Sequence, residues 1–116
     1  MLSEAAKRIV ERANPKEDVV LIVSVKNRPS EGEIGRIRDV ASRRHYVDAF
    51  YKNAKAPVLA HVRRLGVRIV DPLEGTPQLI VAAPASIWRS AMVQPGSVFH
   101  DPQLTLAPNE PLIGLP

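Results

Sequence analysis

A chain of 116 residues, 45% hydrophobic and 24% charged, has the composition of one globular domain rather than of a disordered segment. Cysteine is absent, which excludes a disulfide scaffold, Cys-based zinc sites and thiol catalysis. A net charge of +4 and a pI of about 9.9 describe a solvated basic surface, or attraction to an acidic partner.

The N-terminus, MLSEAAKRIVERAN, is charged throughout and lacks the apolar stretch of a signal peptide. No window is long and apolar enough to span a membrane. Ser3 to Ala13 reads as a short helix capped by Ser3, with Leu2, Ala6, Ile9, Val10 and Ala13 on one face. Asn14-Pro15 ends it, leaving an arm that packs on the domain edge or frays. Asp18 to Lys26, DVVLIVSVK, is the strongest strand signal. Its unbroken apolar run predicts a strand that is covered on both faces or central in a sheet. Asn27 to Gly35 reads as a loop from its Pro, Gly, Ser and Asn content.

Arg36 to Leu65 has a helical pattern, with Val40, Val47, Phe50, Ala54, Val58, Val62 and Leu65 on one stripe. Pro57 falls inside it and predicts a kink or a split near Lys55-Ala56. Gly66 closes the helix. Val67 to Leu73 and Gln78 to Ala83 are two strands joined through Glu74-Gly75-Thr76, a hairpin. Ile87, Trp88, Ala91 and Met92 then mark a short helix with Pro84 at its start, and Pro95-Gly96 stops it. Val98-Phe99 begins a return strand. Strand, long helix, strand, strand, short helix, strand is the order of a ferredoxin-like βαββαβ domain. That is an α+β fold, an antiparallel sheet with two helices on one face. The segment from Asp101, DPQLTLAPNEPLIGLP, carries four prolines and no helical period. Its leucines suit either a wrap along the sheet edge or another protein's groove.

Chemistry is sparse. His45, His61 and His100 form no metal-ligating spacing, and His100-Asp101 would point to opposite faces of an extended chain. No phosphate loop, dinucleotide fingerprint or nucleophile elbow is present. The residues therefore predict no enzyme, metal or cofactor. Both strong strands lack aromatics for base stacking, so no nucleic-acid partner is expected. The tail is the informative feature. Leu112-Ile113-Gly114-Leu115 offers apolar residues to two pockets of a protease cleft, and Pro116 closes the chain.

Three features carry a family likeness: the strand Val19 to Val25, the break Ala56-Pro57-Val58-Leu59-Ala60 in a helix, and a short helix running from Ile87 into a proline before Val98. On these positions the chain resembles the propeptide domain of subtilisin-like serine proteases, which also occurs alone in small subtilisin inhibitors. The resemblance implies an inhibitor or folding chaperone of such a protease. It further implies that the sheet packs on two surface helices of the protease, whose N-termini accept acidic caps, and that the tail lies substrate-like in the cleft. The protease would supply the catalytic residues. One register puts Asp101-Pro102 at the capping turn. The other puts Ala107-Pro108-Asn109 there and leaves Leu112, Ile113, Gly114, Leu115 and Pro116 as the cleft segment. The expected organisation is a helical arm at 1–16, a propeptide-like domain at 17–109 and an extended tail at 110–116. A free-standing chain is expected to be cytoplasmic, whereas one excised from a longer precursor is expected to be secreted. The alternative reading is a ferredoxin-like interaction module that dimerises through its sheet.

Overall fold

The computed structural model describes residues 2–97 and 100–109. In β1 (Asp18–Val25) the run that looks continuous in sequence divides between two faces. Val19, Leu21, Val23 and Val25 are buried, and the residues between them are half-buried. β1 pairs antiparallel with β3 (Gln78–Pro84) on one side and β4 (Leu104–Pro108) on the other. β3 pairs in turn with β2 (Arg68–Asp71), with a bulge at Val70. The strand order is β2-β3-β1-β4. With α3 (Val40–Arg64) joining β1 to β2 and α4 (Ala85–Val93) joining β3 to β4, this is the ferredoxin-like plan.

One face of the sheet carries the core. Leu21, Val23, Leu79, Val81 and Leu106 meet Val62 from α3 and Trp88 and Ala91 from α4. Trp88 is fully buried, and its indole N–H donates to the Val19 carbonyl at 3.0 Å, so the one tryptophan is both packed and satisfied.

The N-terminal helix, α1 (Glu4–Arg12), is a third member of the helical layer. Ser3 caps it through Oγ, which accepts from the Ala6 N–H at 3.1 Å. Ala6 and Val10 are fully buried in the shared core, so the helix does not fray. Arg89 of α4 reaches across to its C-terminal end, donating to the carbonyls of Val10, Glu11 and Ala13. A cation there also suits the helix dipole. Just before α1, Leu2 makes a parallel bridge to Leu106, and the Ser3 N–H donates to the Leu106 carbonyl. The outer edge of β4 is thereby partly closed.

Three expectations are corrected. First, the segment read as a loop contains a short helix, α2 (Glu31–Arg36), started by Ser30, whose Oγ accepts from the Glu33 N–H. Second, the long helix is not split at Pro57; α3 runs unbroken for 25 residues, and the chain breaks instead at 37–39, where Asp39 caps α3. Pro57 removes the bond to the Asn53 carbonyl, but both residues are exposed, so water can satisfy that oxygen. The helix is also longer than the sheet is deep. Its first turns project past the sheet, and Val40, expected on the core stripe, is 76% exposed. Third, the strand that follows α4 among the described residues is Leu104–Pro108, taken from the proline-rich segment; Val98-Phe99, the expected start of a return strand, lie outside the described residues.

Candidate interaction surface

The helices α1, α3 and α4 all pack on the face that holds Leu21 and Leu79, and no described element packs on the other. That open face is built from alternate residues of all four strands. β1 contributes Val20, Ile22 and Ser24, and β3 contributes Ala82, Ile80 and Gln78 directly opposite them. β4 adds Ala107 beside Ile22 and Thr105 beside Ser24. β2 adds Arg68 beside Ala82, and its bulge sets Asp71 beside Ile80.

The chemistry of the face is zoned. Val20, Ile22, Ile80, Ala82 and Ala107 form a continuous apolar centre. Val20, Ile22, Ile80 and Ala107 are half-buried, and the small Ala82 is closed over by its neighbours. At one end Gln78 Nε2 donates to Ser24 Oγ at 3.3 Å, a polar border shared with Thr105. At the other end Arg68 pairs with Asp18 at 2.8 Å, with both side chains well exposed. An apolar centre inside a polar and charged rim is the anatomy of a protein-binding face, not of a catalytic cleft.

β4 carries the chain off this face. The Asn109 N–H donates to the Val20 carbonyl at 3.3 Å, which fixes the last described residue at the edge of the apolar centre. Asp101 lies at the other end of β4, where its Oδ1 accepts from the Gln103 N–H at 2.8 Å in the turn that starts the strand. The two candidate contact residues thus lie beyond opposite ends of β4, one in the turn before it and one just after it, and are not brought together. Leu112, Ile113, Gly114, Leu115 and Pro116 lie outside the described residues.

Comparison with protein-family models, with curated proteins and with solved structures finds no match to this chain.

The histidines do not converge. His45 and His100 are exposed. His61 is half-buried, and its Nε2 has no hydrogen-bond partner among the described residues. Among the described residues no three His, Asp or Glu side chains are grouped to hold a metal, and no helix is long and apolar enough to cross a membrane. Two titrating groups on the projecting α2–α3 corner are perturbed. The Tyr46 hydroxyl is raised, chiefly by its hydrogen bond to Glu33. Asp39 is lowered, chiefly by the hydrogen bond from the Ser42 side chain and then by the one from its backbone N–H. Both are structural ties on this corner.

Sequence reasoning named the sheet as a contact surface but not the residues of its open face. Their signal was present, since Val20, Ile22, Ile80 and Ala82 are apolar at positions that alternate with the core residues.

Proposed function

We propose that this domain is a propeptide-like inhibitor of a subtilisin-like serine protease, able also to assist the folding of its partner. The open apolar face of the sheet rests on the protease surface, and the chain after Asn109 runs substrate-like into the active-site cleft. The observation that carries the reading is that face, with an apolar centre that no described element covers and with Asn109, the last described residue, held at its edge. A rigid sheet that aims a short extended segment lowers the entropy cost of binding it. No catalytic role falls to this chain.

The test is inhibition of a subtilisin-like protease acting on a chromogenic peptide. Full-length protein is compared with a chain ending at Asn109 and with Ile22→Glu and Ile80→Glu. Folding of each is verified by circular dichroism. Truncation is expected to weaken inhibition by well over tenfold, and each charge on the sheet face by about tenfold, since a carboxylate would be desolvated against an apolar partner. Equal potency of the full and truncated chains refutes insertion into the cleft.

The same face supports a second reading, a dimer formed sheet to sheet. Sedimentation equilibrium separates the two. A dimer dissociated by Ile80→Glu, with no effect on any protease, selects the second.

A further inference from the structure

On the helical side of the molecule, away from the open sheet face, a cleft of about 690 Å³ runs between α3 and the β2–β3 connection. One wall is a single stripe of α3, with Arg44, Asp48, Lys52, Lys55, Leu59 and Arg63 spaced three or four residues apart. The other is the turn holding Pro72, Glu74 and Gly75. Lys55 fixes that turn in place. The residue is 3% exposed, and its ammonium donates to the carbonyls of Pro72 at 2.6 Å, Leu73 at 3.0 Å and Gln78 at 2.9 Å. Asp48 closes the middle of the cleft against Gly75; its Oδ1 lies 2.5 Å from where a Cβ at that glycine would sit.

The remaining cations are not used by the fold. Among the described residues the ion pair is Arg68–Asp18, and Arg44, Lys52 and Arg63 have no carboxylate within ion-pair distance. The charge distribution points the same way. Residues 28–68 hold ten of the sixteen Lys and Arg and four of the twelve Asp and Glu, a net of +6, which leaves −2 for the rest of the chain. The net positive charge therefore falls on the stretch that carries α2 and α3, and the cleft lining sets four cations, Arg44, Lys52, Lys55 and Arg63, against Asp48 and Glu74.

We propose that the cleft is a second docking site, for an extended acidic segment of a partner protein that alternates carboxylate and aliphatic side chains. Arg44 and Arg63 lie nineteen residues apart on the helix, about 28 Å, which an extended chain covers in eight or nine residues. Carboxylates meet Arg44, Lys52 and Arg63 on the rim, and aliphatic side chains rest on Leu59, Ala49 and Pro72. A nucleic acid fits less well. Its unbroken row of phosphates would pass Asp48 and Glu74, and among the described residues the lining offers a base the imidazole of His45 but no Phe, Tyr or Trp on which to stack. The site is separate from the open sheet face and does not depend on what that face binds.

The experiment is fluorescence anisotropy of the full chain with a labelled (Glu-Leu)4 peptide, a (Lys-Leu)4 peptide and an oligothymidylate of eight nucleotides, at about 20 and 300 mM salt. Saturable binding of the acidic peptide alone is expected, weakened at the higher salt. Lys52→Glu with Arg63→Glu, both at exposed positions, is expected to weaken it by about tenfold or more, and the glutamine pair by about threefold. Ile22→Glu, on the other face, is expected to bind the peptide as the natural chain does. Absence of saturable binding at low salt overturns the proposal. So does equal affinity for the oligonucleotide, or unchanged binding by both double variants with their thermal midpoints intact.

Discussion

Replacing Lys55 with methionine tests whether a buried cation holds the β2–β3 connection on the long helix. The ammonium donates to three carbonyls, but the three do not lose equally. The Leu73 carbonyl also accepts from the Thr76 N–H at 3.1 Å and the Thr76 hydroxyl at 2.7 Å. The Gln78 carbonyl is within 3.3 Å of the same hydroxyl. Among the described residues the Pro72 carbonyl accepts from Lys55. The loss is therefore about one unsatisfied carbonyl plus part of two charge-assisted bonds, reduced by the desolvation cost that the lysine no longer bears. This amounts to about 2–3 kcal/mol, not the sum of three full bonds. For a domain of this size that lowers the thermal midpoint by about 8–12 °C. The assay is urea unfolding followed by fluorescence of Trp88, the one tryptophan, which moves from full burial to water. Lys52→Met, three residues away in sequence but exposed, serves as the control and is expected within about 0.5 kcal/mol of the natural chain. A Lys55→Met loss below about 1 kcal/mol, or one equal to the control, refutes the reasoning.

Trp88→Ala removes the largest buried side chain and its bond to the Val19 carbonyl, and is expected to cost about 3–5 kcal/mol in thermal unfolding followed by circular dichroism. Gly75 has φ of +78, so Gly75→Ala is expected to cost about 1–2 kcal/mol from backbone strain, plus displacement of Asp48. Adding Asp48→Ala in that background should return only the displacement part. The Asp39 pKa lies below its usual value in the folded state, so its carboxylate stabilises the fold above about pH 4, and that contribution is lost as pH falls through the folded value. Asparagine keeps a cap without a charge to titrate. The gap between the natural chain and Asp39→Asn in urea midpoint is expected to close on going from pH 6 to pH 2, and a constant gap would contradict the assignment.

Local signals in the sequence determined which segments form elements, and they determined the connection order. The β-branched run of β1, the Pro84 and Pro95-Gly96 punctuation around α4 and the 3.6-residue stripe of α3 all act between near neighbours. With that order, the ferredoxin-like plan followed. Two local signals were legible but overshadowed by composition. Ser30 before Glu33 and Asp39 before Ser42 are N-cap patterns that place α2 and the start of α3.

What lies in contacts between distant residues was decided only by the tertiary structure. Leu104–Pro108 looks like part of an unstructured tail because its strand character comes from pairing with Leu21–Val25, about eighty residues earlier. Its proline is tolerated because β4 is at the sheet edge. The burial of α1 rests on Arg89 and on the Leu106 contacts, which no local pattern announces. A run such as Val19 to Val23 is apolar on both parities, and only the placement of three helices on one face determines which half becomes core and which half remains as a surface for a partner.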